Sequence, residues 1–393
     1  MLKRFRVSNF RNLVNVEFTP VGSNLLIGPN NSGKTNLCSA LRFMSLSASA
    51  DLAKAAVSAV GDTWNIANAY VTGRTLQFDV TASLAYEGEA LEFGYTLHVD
   101  VLKGSPEQGV TLRACDERLV LTGGGFEHTV LMNCQNGKAE LFDEAALLRG
   151  GMRRTGTSAP GNSTMLSRLY DLESNPRANM FRQYLQSWLY FNLNPNAMRS
   201  PQVHADRLTI YPDGANLSKA LFLLHNERPR VERKIIEALK AIEPKIDLFT
   251  FFAPDPQSVF LFLEDREQNR FRSQSISDGT LRYLVFAYLI YTSADNEGAG
   301  APLIMIEEPE NGLYVGHLRS LFDKIDPSGE AGQFIFTSHS PYFIDLWESN
   351  PEGIHILQPG KPSAVLVKPD AAKLQGLLKE MPLGELHFRE MLT

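Results

Sequence analysis

Hydrophobic and polar positions alternate over residues 4–10 and 15–19, and this period of two predicts short strands. Residues 23–27, ending in the apolar run Leu25-Leu26-Ile27, predict a third strand, which stops at Gly28. Residues 34–46 then read as a helix. From about 69 to 142 the period is two again, in runs such as "LQFDVTASLAYEG" and "GVTLRACDERLVLTGGG" separated by Glu-Gly, Gly-Gly-Gly and Asn-Gly. That spacing and turn chemistry predict an antiparallel meander. Residues 149–165, "RGGMRRTGTSAPGNSTM", have no period and predict a loop. Helical spacing returns over 165–172, 177–190, 216–225 and 229–242, "FTFFAPDPQSVFLFLEDREQNRF" reads as two strands, and a long helix is predicted over 279–293. The apolar runs "PLIMIEE" (302–308) and "GQFIFTSHSP" (332–341) predict buried parallel strands. No heptad register is sustained, and there are no internal repeats.

Composition narrows the class. The chain has 393 residues, 44% of them apolar and 21% charged, which is ordinary for a soluble protein with a large core. A net charge of −6 gives no support for uniform coating by nucleic acid, though a local basic patch is compatible with it. Cys38, Cys115 and Cys134 lack metal-ligand spacing and read as free thiols in a reducing compartment. The opening "MLKRFRVSNF" lacks the apolar core of a secretory signal, and "LVFAYLIYTSA" is too short to span a bilayer. The expectation is a cytoplasmic protein with no membrane partner.

Four stretches carry candidate chemistry. The first is Gly28-Pro29-Asn30-Asn31-Ser32-Gly33-Lys34-Thr35, followed by Asn36, between a predicted strand and a predicted helix. Its glycines let backbone N–H groups turn inward as an anion nest at a helix start. Lys34 is expected to reach β- and γ-phosphates and the Thr35 hydroxyl to bind Mg²⁺, so ATP and Mg²⁺ are the expected ligands. The second is "LIMIEEPENG", where a buried strand delivers Glu307 and Glu308 to the carboxyl edge of the sheet. Adjacent acids repel unless a cation or proton relieves them; Glu307 suits a metal held partly through water, and Glu308 suits polarisation of an attacking water. The third is Ser277-Asp278-Gly279-Thr280 before the long helix, which reads either as ordinary capping by Ser277 or Asp278, or as a second phosphate site. The fourth is Ser338-His339-Ser340 at a strand end, where His339 is a candidate γ-phosphate contact.

Taken in that order, these motifs resemble the ABC-type ATPases of the RecF/SMC/OLD group, and most closely its short AAA-family ATPases. "VSNFRNL", "YPDGANLSKAL" and "PLGELHF" extend the resemblance over essentially the whole chain. The resemblance implies an α/β fold: a P-loop ABC-type head with a mixed central sheet, an antiparallel β subdomain and a helical lobe carrying the signature. One composite unit over 1–393 is expected, with 1–48 and 296–393 forming the core, 69–145 the β subdomain and 146–295 the lobe. It further implies a homodimer that sandwiches ATP, Gly28–Thr35 of one subunit facing Ser277–Thr280 of the other, with Glu310 and Asn311 in the loop that crosses the dimer. Gln202, in "MRSPQ", is the candidate metal-contacting glutamine, and Arg11, in "NFRNL", is expected near the nucleotide. "LYVGH" replaces the usual "LHP" after that loop, and the chain offers no room after 345 for a Toprim nuclease and no long coiled-coil arms. A separately encoded nuclease or Toprim effector is therefore expected, in bacterial DNA maintenance or defence against foreign DNA.

The competing expectation is a stand-alone RecF-like repair ATPase that binds DNA. Residues 149–207 carry Arg149, Arg153, Arg154, Arg168, Arg177, Arg182, Arg199 and Arg207 against Asp171, Glu173 and Asp206. A kinase leaves the signature unexplained, and a non-catalytic sensor leaves Glu308 and His339 unexplained.

Overall fold

The computed structural model describes residues 1–392 apart from 72, 105–108, 136, 150, 152–153, 159–160, 170–172, 201–208, 256–257, 294–301 and 361–362. Residues 23–27 form the strand Ser23–Ile27, inside a six-stranded sheet. The order across that sheet is Leu189–Phe191, Leu303–Glu307, Gln333–Thr337, Ser23–Ile27, Ile354–Gln358 and Val365–Val367. All neighbours are parallel except the last pair, so the sheet is mixed. Leu26 enters one apolar core, while Leu25 and Ile27 enter the other. Both faces of this strand are covered, which is why Leu25, Leu26 and Ile27 are apolar in succession rather than in alternation.

The helix Lys34–Ser47 lies on the Leu26 side, where Phe43 meets Phe78 at 5.3 Å between ring centroids. Phe78 belongs to an eight-stranded antiparallel sheet ordered Val16–Phe18, Leu2–Ser8, Thr75–Tyr86, Glu89–Lys103, Val110–Gly123, Phe126–Gln135, Lys138–Phe142 and Arg154–Ser158. The opposite face of the six-stranded sheet is covered by the helix Asp278–Ser293, whose Phe286 stacks on Phe336 at 6.1 Å. A third sheet, Ile246–Asp255, Ser258–Asp265 and Arg270–Arg272, packs against the helix Leu217–Glu227.

Three expectations are corrected. Within the loop expected at 149–165, Arg154–Ser158 forms a strand paired with Lys138–Phe142. This strand lies at the end of its sheet, where backbone pairing suffices and no apolar alternation is needed. The helix expected over 177–190 ends sooner, as Pro176–Gln186, and Leu189–Phe191 becomes an edge strand. Its in-register pairing of Tyr190 with Met305 overrides the helical pattern. Within 165–172 the described residues form only the single turn Leu166–Arg168. The helices Leu52–Val60 and Leu383–Phe388 and the strand Ile354–Gln358 had no sequence expectation.

Candidate phosphate-binding site

Register places the motifs together. Thr337 pairs with Leu26 on one side and with Glu307 on the other. The segments leaving these three parallel strands, at Gly28, Glu308 and Ser338, therefore emerge side by side at one sheet edge.

Gly28 has φ +142°, and a Cβ there would stand 2.0 Å from the Leu357 carbonyl oxygen, so only glycine fits. Lys34 is buried, and its Nζ donates to the carbonyls of Gly28 at 2.6 Å and Pro29 at 3.1 Å. Burial pushes the Lys34 pKa down to about 8, while Glu308 and Glu307 pull it up. The Lys34 side chain thus stays cationic at neutral pH on weak neutral acceptors that phosphate oxygens can displace. The Ser32 hydroxyl, also buried, has no hydrogen-bond partner among the described residues. From below, the "FRN" turn braces the loop: Asn12 Nδ2 donates to the Asn31 carbonyl at 3.3 Å, Asn36 to Asn12 at 2.7 Å, and Arg11 to Asn36 at 3.2 Å.

The two glutamates differ. Burial raises the Glu307 pKa, against the Thr35 and Tyr190 hydroxyls that hydrogen-bond its carboxylate, and its Oε1 is buried without a partner among the described residues. An unpaired carboxylate oxygen beside the Thr35 hydroxyl fits a divalent cation with its waters. Glu308 sits in left-handed backbone, φ +43°, held by its N–H to the Thr337 carbonyl at 3.0 Å. Its side chain is 43% exposed, accepts from Asn311 Nδ2 at 2.6 Å and lies 4.0 Å from His339 Nε2. Burial and the charge of Lys34 lower the His339 pKa, with Glu308 opposing, so the imidazole is largely neutral at pH 7. Glu310 accepts from the Ser338 hydroxyl and is raised by burial.

At the signature, the Ser277 hydroxyl accepts from the Thr280 N–H at 3.1 Å and lies 2.7 Å from Thr280 Oγ1; Ser277 caps the helix. Asp278 pairs with Arg199 at 2.5 Å. Gly279 packs against the Gly312 carbonyl, so the signature touches the loop that carries Glu310 and Asn311. Gln202 lies outside the described residues. Sequence reasoning missed Tyr190, Arg42 (4.7 Å over the Tyr190 ring) and Arg282, which feels both Asp278 and Glu308. None belongs to a motif: Tyr190 arrives through the edge strand, and Arg42 and Arg282 are single cations on helices.

The fold is that of an SMC-type ATPase head. Residues 170–345 match the family described as "AAA domain, putative AbiEii toxin, Type IV TA system". No curated protein matches the chain in sequence. Among solved structures, the chain is similar to an SMC head bound to the C-winged helix domain of ScpA, at TM-score 0.56 and 13% identity over 95% of this chain and 99% of that one. More remote are the head domain with an extended coiled coil, bound to the C-terminal domain of ScpA, from Pyrococcus furiosus (TM-score 0.47, 11% identity, 96% and 98% covered) and the SMC head from Thermotoga maritima (0.45, 9%, 94% and 99%). No described helix is long and apolar enough to cross a membrane.

Proposed function

We propose that this chain binds and hydrolyses ATP and that two copies close around the nucleotide as a switch. The observation that carries this is the convergence of Lys34, Glu307, Glu308 and His339 at the ends of adjacent parallel strands, with the signature helix packed on the Asn311–Gly312 turn. Lys34 exchanges its loop carbonyls for the β- and γ-phosphates, and the backbone N–H groups of residues 29–36 cradle them. Thr35 and Glu307 would hold Mg²⁺, which would screen the phosphate charge. Glu308, open and hydrogen-bonded to Asn311, orients the attacking water and takes its proton. His339 faces the γ-phosphate. Ser277–Thr280 of one copy meets the γ-phosphate held by the other, so binding energy is spent on closing the pair and hydrolysis releases it.

Bacterial DNA maintenance or defence against foreign DNA, with a separately encoded nuclease or Toprim effector, is the setting we propose. The toxin–antitoxin wording of the matched family description accords with defence. A stand-alone DNA-binding repair ATPase gains little from the arginine-rich segment. Arg168, Arg177, Arg182 and Arg199 all hydrogen-bond within the chain. Lys34→Ala is the direct test. Calorimetry should show tight MgATP binding to the wild type and none to the folded variant, and ATP should shift only the wild type to a dimer on sizing chromatography. Unchanged affinity in the variant overturns the reading.

A further inference from the structure

The six-stranded sheet ends at Leu189–Phe191, which pairs on one side with Leu303–Glu307. A strand of three residues fills little of the space between the helices on the two faces of the sheet. Arg42 and Ser45 of the helix Lys34–Ser47 and Tyr288 and Thr292 of the helix Asp278–Ser293 line a cavity of about 710 Å³ beside this strand. That volume is in the roughly 300–1,000 Å³ range of small-molecule sites. Among the described residues, the lining holds two arginines, Arg42 and Arg228, and no Asp or Glu. The half-buried Arg42 has no hydrogen bond or ion pair with any described residue; its guanidinium lies 4.7 Å over the Tyr190 ring. Five N–H donors without an acceptor call for an anion.

The rest of the lining asks for a flat ligand that carries N–H groups. Tyr190, Tyr211 and Tyr288 supply aromatic rings. Thr292 and Ser293 spend their hydroxyl protons on the carbonyls of Tyr288, at 2.7 Å, and Ile290, at 3.0 Å, so their oxygens are left as acceptors. We propose that this cavity binds a nucleoside monophosphate, with its phosphate on Arg42 and its base among the tyrosines, separately from the ATP held by Lys34. A guanidinium fork matches phosphate oxygens in pairs, and bases stack on aromatic rings. The cavity also shares a wall with the metal site, because the Tyr190 hydroxyl hydrogen-bonds Glu307. A phosphate that takes hold of Arg42 draws the guanidinium off the Tyr190 ring, and Tyr190 carries the change to Glu307. This coupling, unlike the cavity site itself, rests on the ATP-binding reading.

The test is calorimetry with AMP, GMP, CMP and UMP on the full chain carrying Lys34→Ala, which silences the phosphate loop. At least one monophosphate should bind. Adding Arg42→Ala should weaken it about tenfold or more, and Arg42→Lys, which keeps the charge, should recover part of the loss. If none of the four binds, or binding is indifferent to Arg42, the proposal is overturned. Should the Arg42 variants fail to fold, Tyr211→Ala, at a side chain 39% exposed, decides by loss of stacking: unchanged affinity there overturns the proposal. In the wild type the same monophosphate should change MgATP affinity, and Arg42→Ala should abolish that change. Plain competition at the phosphate loop would survive Arg42→Ala and would overturn the coupling. A wild type that binds no ATP, yet binds the monophosphate through Arg42, overturns the ATP reading and supports the cavity site.

Discussion

Glu307 and Glu308 are neighbours in the chain, but one carboxylate is buried with an unpaired oxygen and the other is open to solvent. The alternation of a strand end separates them: Glu307 closes the strand, and Glu308 turns into left-handed backbone. Their replacements should therefore separate as well. Glu308→Gln keeps the shape and removes the base, so MgATP binding and the closed dimer should persist while hydrolysis slows by roughly 10²–10⁴-fold. Glu307→Gln removes charge from the metal's surroundings and should weaken MgATP binding instead. Phosphate-release assays and sizing chromatography on both variants test the division. Full activity in Glu308→Gln would place the base elsewhere, with His339 the next candidate.

The signature is an element with two possible duties. Its Ser277 hydroxyl caps the helix Asp278–Ser293, and Thr280 passes the network on to Glu243 at 3.1 Å. Losing a cap of this kind costs about 0.5–2 kcal/mol, so Ser277→Ala should lower stability by that amount in denaturant titration. Ser277→Arg loses the same cap and adds a bulky cation where the second copy's γ-phosphate is proposed to lie. It should bind MgATP as a monomer with wild-type affinity yet fail to dimerise or turn over. Normal dimerisation and hydrolysis in that variant would reduce the signature to helix capping. Arg199, joined to both Asp278 and the Ile276 carbonyl, fixes the approach of the chain to this helix.

At the scale of the molecule, one buried histidine joins the two large sheets. His355 lies in the strand beside Ser23–Ile27, fully buried, with Nε2 3.2 Å from Asn24 Oδ1 and its ring edge-on to Phe18 at 4.7 Å. Phe18 belongs to the eight-stranded sheet, and Asn24 to the six-stranded one. Burial, helped by Lys368, pushes the His355 pKa down to about 3. In the unfolded chain a histidine titrates near its ordinary 6.5, so the unfolded state takes up a proton first. Stability from this site is intact above pH 6.5 and falls as pH drops toward 3, by up to about 1.4 kcal/mol per unit. His355→Leu should flatten this acid limb, seen as a smaller shift of the urea midpoint between pH 7 and pH 4.5. An unchanged shift would put the acid sensitivity elsewhere.

Local pattern and turn chemistry by themselves determined the glycine loop between Ser23–Ile27 and Lys34–Ser47, the antiparallel runs from Thr75 to Phe142, and the helix Pro229–Ile242, because each needs only residues close in sequence. They also named Lys34, Glu307, Glu308 and His339, since each follows or borders an apolar strand whose end must face the sheet edge. Only the tertiary structure decided the rest. The edge strand Leu189–Phe191 exists through its pairing with Leu303–Glu307, more than a hundred residues away, and so brings Tyr190 to Glu307. Leu2–Ser8 joins the eight-stranded sheet rather than the sheet of the phosphate loop, through its register with residues 77–82. The helix Leu383–Phe388 reaches the turn after His339 because Gly384 admits the Pro341 backbone and Asp345 receives its amide. Periodicity reports which face of an element is covered; it carries no information about which distant element covers it.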